Sequence, residues 1–393
     1  MKTLKYLLPL VLVVALLAGC GKSEQPAIAP DDTVEAQEIT LSQRSAILNQ
    51  DDTINLNPVG GNGEFDFVSS DPEVASVDGN GKVTAHKKGN AMITVTSGEK
   101  VAKCGILVEP YGQMRDLTGT KAQAIFSDVQ LYHQHEIIDF AADAENGAFY
   151  FSQQYAQKIA SDTMLTKVTK ENGQWQRSDY VHLYNHGFGY FTIEKEDGKV
   201  YLLSESNGVS SNRGTTISRV EWESQALFDE QFGDTYALEN LDGSPRPASD
   251  PENDLVVVYD YNGRESYYAV YDRDALYNGE ETDFLIRFRC ESRQEPVNGK
   301  DDSQGKYNSA IRDFTVKDGY IYQLSGSGKL YISVFDFAGN LQYCHEVTDY
   351  PELSRRMPGG ICFSDGDLYI AVCSAETNVV YYASVWKLQE VEK

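Results

Sequence analysis

The sequence has few basic residues: 34 lysines and arginines stand against 59 aspartates and glutamates, which gives a formal net charge of −25 at pH 7. A surface this acidic disfavours nucleic acid and anionic lipid headgroups as partners, because both carry negative charge. It is compatible with cations and with neutral ligands such as sugars, and it also favours solubility without any ligand. We therefore expect no nucleic-acid partner, while the ligand class stays open.

The sequence also lacks the short motifs of common catalytic sites. It contains no GxSxG, no HExxH, no P-loop and no dinucleotide fingerprint, so no cofactor is predicted. No CxxC spacing suggests zinc, and an odd number of cysteines follows Cys20, so at least one is unpaired. We expect them to be buried as small apolar side chains, and a disulfide among the last three stays open. These cysteines are Cys104, Cys290, Cys344, Cys362 and Cys373.

The N-terminus has the pattern of a secretory leader. Lys2 and Lys5 precede an apolar run that ends in Leu17-Ala18-Gly19-Cys20. A basic start, about a dozen apolar residues and a small-residue cleavage site are typical of a signal peptide, which is too short to span a membrane in the mature protein. The ending resembles the bacterial lipobox, which implies cleavage after residue 19 and acylation of Cys20. Several acyl chains on one residue suffice for stable anchoring.

Residues 20–37 carry two prolines, several charges and no apolar period, which predicts a flexible tether. No other stretch of the sequence is long and apolar enough to cross a bilayer. The predicted partner of the N-terminus is therefore a membrane, reached through lipidated Cys20. We expect a protein of the cell envelope that is lipid-anchored and faces outward, on an outer membrane or a cell surface.

Residues 38–110 consist of seven short alternating runs separated by turn signals, a pattern that predicts a β-sandwich. Ser69–Asp78, Gly81–Ala85 and Gly89–Val95 closely resemble the bacterial Ig-like group 2 domain. The resemblance implies an Ig-like sandwich of the kind found in surface proteins, often as a spacer and sometimes as an adhesive module. We favour the spacer role.

A different repeat occupies residues 111–393. Each copy is an alternating strand, a hairpin turn of the Asn/Asp-Gly type and a second strand with an aromatic residue, and a third strand follows. The copies are Asp139–Phe151, Tyr190–Leu202, Asp313–Tyr322 and Gly360–Ile370, with a degenerate fifth at Pro251–Tyr259. Five copies about 47 to 65 residues apart predict a five-bladed β-propeller. The predicted fold class is all-β, an Ig-like sandwich followed by this propeller.

The propeller must also close, because an unpaired edge invites aggregation. The chain ends soon after the third strand of its last repeat, around Trp386. We therefore predict that residues 122–131 return as the outer strand of the last blade and lock the ring.

Propellers bind ligands around the central axis, where the innermost strands begin. Alignment of the repeats places Asp139, Tyr190, Asp313 and Gly360 at equivalent inner positions. Carboxylates and a tyrosine there could hold a cation or a sugar hydroxyl, or they could hydrate a structural channel through ordered water. The predicted ligand-binding residues are Asp139, His186, Tyr190, Arg312 and Asp313. His133 and His135 could ligate a metal, but on a predicted edge strand we favour an exposed or packed position, and no metal site is predicted.

The first two repeats, Ile138–Gln153 and Gly187–Glu205, resemble the propeller of teichoic acid biosynthesis protein C-like proteins and of some phage receptor-binding proteins. The resemblance implies five blades and an association with cell-wall glycopolymers. That family has a Gly-Phe-Gly-His-Gly run where this sequence has Gly187–Phe191. Tyr190 replaces the histidine and Phe191 replaces the last glycine.

Three functions remain open. The favoured one is a non-catalytic surface lipoprotein whose propeller binds a glycan or another envelope component. The second is an extracellular glycoside hydrolase with paired carboxylates drawn from Asp139, Glu194 and Asp313, although Glu194 should lie further along its strand than the other two. The third is a structural or assembly lipoprotein without a small ligand.

Overall fold

The computed structural model describes residues 37–132, 135–156, 159–184, 189–206, 215–228, 233–241, 243, 245–261, 266–290, 311–326, 329–349, 356–377 and 380–390. The predicted leader, Cys20, His133 and His186 lie outside these ranges. Within the ranges the fold is almost entirely β, with one short α-helix, α1 (Arg273–Tyr277). No helix of this part of the chain is long and apolar enough to cross a membrane.

The N-terminal domain is an Ig-like β-sandwich. Its strands are β1 (Gln37–Thr40), β2 (Ser45–Leu48), β3 (Thr53–Asn55), β4 (Val59–Gly61), β5 (Asp66–Ser69), β6 (Ala75–Val77), β7 (Lys82–Ala85), β8 (Gly89–Ser97) and β9 (Lys100–Val108). One sheet has the order β2-β9-β8-β5, the second has the order β3-β7-β6, and β1 pairs with β4. Leu56, Val83, Ile93 and Ile106 are fully buried between the sheets.

Each of the seven predicted runs of this domain overlaps a strand, but two strands were not predicted. β2 has no alternation of apolar and polar residues, and it forms because its backbone pairs in parallel with β9 from Ser45↔Gly105 to Leu48↔Val108. β4 contains two glycines, and it pairs with β1 at Gln37↔Gly61 and Thr40↔Val59. Both strands form by pairing with segments that are distant in sequence, so a local sequence pattern does not reveal them.

The rest of the described chain forms five antiparallel sheets, which are the blades of the propeller. Blade 1 contains β11 (Ile137–Asp143), β12 (Ala148–Ala156), β13 (Ile159–Glu171) and β14 (Gln174–Leu183). Blade 2 contains β15 (Phe191–Glu196), β16 (Lys199–Ser206), β17 (Thr216–Glu221) and β19 (Asp234–Ala237), and the short β18 (Leu227–Phe228) adds a fifth, parallel strand to blade 1. Blade 3 contains β20 (Arg246–Asp250), β21 (Leu255–Tyr261), β22 (Ser266–Asp272) and β23 (Ile286–Phe288). Blade 4 contains β24 (Asp313–Lys317), β25 (Tyr320–Ser325), β26 (Tyr331–Asp336) and β27 (Leu341–Glu346). Blade 5 contains β28 (Arg356–Ser364), β29 (Asp367–Thr377), β30 (Val380–Glu390) and β10 (Thr120–Gln130).

The first strand of each hairpin is the innermost strand, and these five strands form a ring. β11 contacts β15, β15 contacts β20, β20 contacts β24, β24 contacts β28, and β28 returns to β11. The apolar clusters lie between blades rather than within one sheet: Phe140 and Phe149 of blade 1 pack with Tyr369 and Val385 of blade 5. The prediction of five blades is confirmed.

The predicted closure is also present. β10 pairs antiparallel with β30 from Thr120↔Glu390 to Gln130↔Tyr382, so an N-terminal segment completes the last blade. The pairing is interrupted by register shifts around Phe126, whose ring packs at 5.4 Å from the ring of Phe149 in blade 1. β10 therefore joins blade 5, the last blade along the chain, to blade 1, the first.

Three details differ from the sequence-based expectations. The hairpin turn of blade 3 is a short 3₁₀ turn at Pro251–Asn253 rather than an Asp-Gly turn, so its inner strand lies before Pro251 and not within the degenerate copy. His135 lies in the loop between β10 and β11, so its predicted place on an edge strand is wrong. The described cysteines form no disulfide; Cys104, Cys362 and Cys373 are buried as expected, while Cys290 and Cys344 are half-buried.

The Ig-like domain packs directly on blades 3 and 4. Met92 and Leu107 belong to the same buried cluster as Leu285 of blade 3 and Phe337 of blade 4. Around this contact, Lys103 pairs with Glu281 at 2.7 Å. The apolar contact and the ion pair beside it hold the Ig-like domain in one orientation on the propeller. The domain is therefore a fixed rather than a flexible spacer.

Gly105 tests this contact. A Cβ atom added at Gly105 would lie 1.8 Å from the carbonyl oxygen of Leu285, so alanine cannot fit unless the two domains separate. We expect Gly105→Ala to lower the free energy of unfolding by about 1–3 kcal/mol, as overpacking of a close contact does. Urea denaturation followed by circular dichroism measures it.

Gly79→Ala is the matched control, because a Cβ at Gly79 has no heavy atom within 4 Å. It should change the free energy of unfolding by less than about 0.5 kcal/mol. Equal stability of the two variants would show that the Ig-like domain does not pack on blade 3 in solution.

Candidate functional site

Asp139 lies on β11, and its carboxylate bridges blade 1 to blade 2. Oδ1 accepts a hydrogen bond from the backbone N–H of Phe140 at 2.7 Å, and Oδ2 accepts one from the N–H of Phe191, the first residue of β15, at 2.8 Å. Asp139 is only 3% exposed. Its oxygens therefore bind the backbone of two adjacent inner strands.

Asp313 repeats this arrangement between blades 4 and 5. Oδ1 accepts from the N–H of Phe314 and Oδ2 from the N–H of Ile361, both at 2.7 Å, and Asp313 is 5% exposed. The acceptor geometry is the same in both blades: each aspartate accepts from the residue after it and from an inner strand of the next blade. The equivalence of the two positions, which the repeat alignment predicted, is present in the structure.

The carboxyl groups of Asp139 and Asp313 also hydrogen-bond to one another across the ring. Burial, followed by the charge of Asp313, raises the pKa of Asp139 well above its usual range. Burial raises the pKa of Asp313 from 3.8 to about 6, against the opposing effect of the N–H of Ile361 and the hydrogen bond from Asp139. The raised pKa of Asp139 favours its protonated form, in which it donates a hydrogen bond to Asp313, because two adjacent carboxylates repel one another.

Gly360 lies at the corresponding position of blade 5, where it lets the inner strands converge. A Cβ atom there would lie 2.6 Å from the Cβ of Phe140 and 3.0 Å from Oδ2 of Asp313. No larger residue fits between Asp313 and Phe140 of blade 1. Gly360 is thus a packing residue of the ring.

Arg246, the first residue of β20, brings a guanidinium to this group. Its Cζ lies 3.6 Å from the ring centroid of Tyr190 and 5.3 Å from that of Tyr259, and Nη1 donates to the carbonyl of Ile311 at 3.4 Å. Its charge contributes to lowering the pKa of Asp313. We call Asp139, Tyr190, Arg246 and Asp313 the axial cluster.

Tyr190 and Arg246 are half-buried, so they are the more accessible members of the axial cluster. Burial raises the pKa of the Tyr190 hydroxyl, so this hydroxyl is neutral and can both donate and accept a hydrogen bond. Arg312, half-buried beside Asp313, donates its backbone N–H to the carbonyl of Leu324 at 3.0 Å. Guanidinium and hydroxyl groups in this arrangement can bind the oxygen atoms of a ligand.

Sequence reasoning missed Arg246. The repeat alignment took the degenerate copy, which belongs to blade 3, from Pro251 onward, whereas the structure places its inner strand over the five residues before that proline. Had the inner strand been sought there, Arg246 would have been found at the start of its strand, as Asp313 is at the start of β24. The predicted His186 lies outside the described residues.

Glu194 lies at the opposite end of its inner strand from the axial cluster, as its sequence position predicted. Oε2 accepts from Nε of Arg219 at 2.9 Å, while Oε1 accepts from the hydroxyls of Ser249 at 2.5 Å and Tyr277 at 3.0 Å. These contacts join blade 2 to blade 3. Glu194 is therefore part of a buried network and does not face Asp139.

The three carboxylates proposed for glycoside hydrolysis are not arranged for that reaction. Paired catalytic carboxyls lie about 5–5.5 Å apart in retaining enzymes and about 6.5–9.5 Å apart in inverting enzymes, so that the sugar fits between them. Asp139 and Asp313 are hydrogen-bonded to each other, and Glu194 lies at the other end of its inner strand, bound to Arg219. Within the described residues, no group of three or more His, Cys, Asp or Glu side chains could hold a metal ion.

Comparisons with known proteins agree with the two-part fold. Residues 35–105 match the family model of the bacterial Ig-like domain (group 2). Short segments are similar to intimin of Citrobacter freundii (46% identical over 46 residues) and to intimin of Hafnia alvei (48% over 48 residues), each covering 12% of this chain. The matches span only 5% and 17% of those two proteins.

The solved tail fiber of Staphylococcus aureus phage P68 is similar in structure over 70% of this chain and 54% of the fiber chain, with a TM-score of 0.54 and 14% sequence identity. At this identity the similarity concerns the fold alone. It extends well beyond the Ig-like domain, because that domain accounts for residues 35–105 only.

Replacing Asp139 with asparagine tests the proton shared by the pair. Burial and the neighbouring charge of Asp313 raise the folded-state pKa of Asp139 well above its ordinary value of 3.8, so above this value the folded chain binds more protons than the unfolded chain. The stability that this proton contributes is therefore present in acid and lost as the pH rises. We expect Asp139→Asn to remove the part of the pH dependence of stability that comes from Asp139, while the part from Asp313, which burial causes, stays.

Urea denaturation of wild type and variant from about pH 4.5 to about pH 7.5 measures the effect. The destabilisation caused by Asp139→Asn should shrink as the pH rises. Asp197→Asn, at an exposed turn position, is the matched control and should follow the wild type. Parallel curves for Asp139→Asn and wild type would contradict a shared proton.

Proposed function

We propose that the protein is a non-catalytic binding lipoprotein of the outer cell envelope, anchored through Cys20, whose propeller binds a glycan chain at the axial cluster. One observation carries the proposal: both axial carboxyls accept hydrogen bonds from backbone N–H groups, and they also hydrogen-bond to each other. Carboxyls held in this way are not available to cleave a glycosidic bond. Ligand recognition then falls to the donor groups of Arg246 and Tyr190.

The chemistry of these donors suits a polyhydroxylated ligand. A guanidinium presents several N–H donors in a fixed plane, and the neutral Tyr190 hydroxyl both donates and accepts. With Asp139 protonated, the pair carries one negative charge, which the charge of Arg246 offsets, so the cluster does not require an anionic ligand. A neutral ligand also suits the protein as a whole, because its acidic surface does not attract anionic polymers.

The outward location is supported by two features. Leu17–Cys20 has the lipobox pattern, and the Ig-like domain resembles modules of surface proteins. The packing of the Ig-like domain on blades 3 and 4 gives the propeller a fixed orientation relative to that domain. We infer that the anchor, the Ig-like domain and the propeller are arranged in this order away from the membrane.

Replacement of Cys20 tests the anchor. Cys20→Ser should abolish incorporation of labelled fatty acid and move the protein from the membrane fraction to the aqueous fraction, because the acyl chains supply the membrane affinity. Cys344→Ser, which changes a half-buried propeller cysteine, should leave labelling unchanged. Equal labelling of Cys20→Ser and wild type would refute lipidation at this position.

Replacement of Arg246 tests the axial cluster. The full chain is applied to an array of cell-wall and host glycans, and the affinity for each bound glycan is then measured for wild type, Arg246→Ala and Arg44→Ala. We expect Arg246→Ala to weaken binding at least about tenfold, because the substitution removes a hydrogen bond from a charged group to the ligand. Arg44→Ala removes an exposed guanidinium from the Ig-like domain and should have no effect.

Two outcomes would contradict the proposal. Unchanged affinity of Arg246→Ala for every bound glycan would place the binding site elsewhere. Absence of binding to all glycans on the array would exclude the glycan as the ligand class.

A further inference from the structure

A groove lies on the rim of the propeller, where β10 of blade 5 meets blade 1. It has a volume of about 560 Å³ and is lined by two segments, residues 126–130 of β10 in blade 5 and residues 173–177 around the β13–β14 turn in blade 1. The volume falls within the range of about 300–1,000 Å³ that is usual for ligand sites. We name these two segments the rim groove.

The shape of the rim groove comes from an irregular strand. β10 shifts register against β30 on both sides of Phe126, and Asp128 has a left-handed backbone with φ of 56°. The N–H of Asp128 donates to the hydroxyl of Ser384 at 3.0 Å, which fixes the bulge. Bulges of this kind redirect side chains and are common beside binding sites.

One wall of the rim groove is aromatic. Trp175 is half-buried, and its ring packs at 5.0 Å from Phe126 and 5.4 Å from Phe149, so its position is fixed by the core between the blades. Beside the groove, the exposed Tyr132 packs edge-on against Tyr180 at 5.2 Å. Rigid aromatic rings at a surface are suited to the apolar faces of sugar rings.

Besides its aromatic residues, the rim groove is lined by buried Val129 and by polar groups that include one arginine and one aspartate, and Nζ of Lys170 lies 5.9 Å from the centroid of the Trp175 ring. Arg177 lies with its Cζ 4.4 Å from the Tyr132 ring and donates from Nη1 to the carbonyl of Leu131 at 3.1 Å, while Asp128 accepts from the hydroxyl of Ser374 at 3.2 Å. The remaining polar side chains are neutral and exposed: Ser127, Gln130, Gln174 and Gln176. On a chain with a net charge of −25, this composition favours a neutral ligand with many hydroxyl groups.

We propose that the rim groove is a binding site for a neutral oligosaccharide, separate from the axial cluster. Trp175 supplies the surface on which a sugar ring stacks, and Gln130, Gln174 and Gln176 supply hydrogen bonds to its hydroxyl groups. An extended peptide is a poorer occupant, because the bulge at Asp128 interrupts the regular edge that an added strand would need. The site does not depend on whether the axial cluster binds a glycan.

The test uses the full chain and a panel of neutral cello-, chito- and manno-oligosaccharides. Binding is followed by saturation-transfer NMR and by tryptophan fluorescence, since stacking on Trp175 changes its emission. We expect at least one oligosaccharide to bind the wild type, and Trp175→Phe and the double substitution Gln174→Ala/Gln176→Ala to weaken that binding at least about tenfold. The glutamines are exposed, so their replacement does not remove core packing.

Controls separate the two proposed sites. Trp222→Phe, which changes a half-buried tryptophan of the link between β17 and β18, and Arg246→Ala should both bind the oligosaccharide as the wild type does. Loss of binding in Arg246→Ala with retention in the rim variants would assign the sugar to the axial cluster and overturn the rim site. Failure of every oligosaccharide in the panel to bind would overturn it as well.

Discussion

The ring depends on hydrogen bonds between a buried carboxylate of one blade and the backbone N–H of the next. The inner strand of each sheet has one edge that faces the axis and no further strand to pair with, so its N–H groups need other acceptors. Asp139 and Asp313 supply such acceptors to one N–H group each of the inner strands of blades 2 and 5. A hydrogen bond to a carboxyl oxygen inside the fold costs far less than an unpaired buried N–H group.

A second set of contacts joins the blades at the hairpin end of the inner strands. Oδ2 of Asp250 in blade 3 accepts from the N–H of Asp318 in blade 4 at 2.9 Å, and the hydroxyl of Ser364 in blade 5 accepts from the N–H of Ala144 in blade 1 at 2.9 Å. Glu194 joins blade 2 to blade 3 in the same layer. The acidic residues Asp139, Asp313, Asp250 and Glu194 therefore serve the structure of the ring, and our proposals assign ligand recognition to Arg246, Tyr190 and the rim groove.

The regular parts of this fold could be predicted from the sequence. Alternating strands around Asp-Gly turns identify the inner hairpins of blades 2, 4 and 5, and the need for a closed ring identifies the closing strand β10. The blade 3 inner strand escaped because its turn begins with Pro251 and contains no glycine, so Arg246 was not recognised. Strand alternation shows which side chains point inward, but it does not show whether a carboxylate such as Asp139 binds a ligand or a backbone N–H. The rim groove was not predictable for a related reason, since Asp128 and Trp175 belong to different blades and meet only after closure.

Native-state hydrogen exchange of the amides of Phe191 and Ile361 tests the central claim most directly. If Asp139 and Asp313 hold these N–H groups, both amides should exchange only through global unfolding, at the slowest rates in the propeller. Exchange of both amides as fast as those of exposed turn residues such as Asp197 would contradict the claim that the axial carboxyls hold adjacent inner strands together.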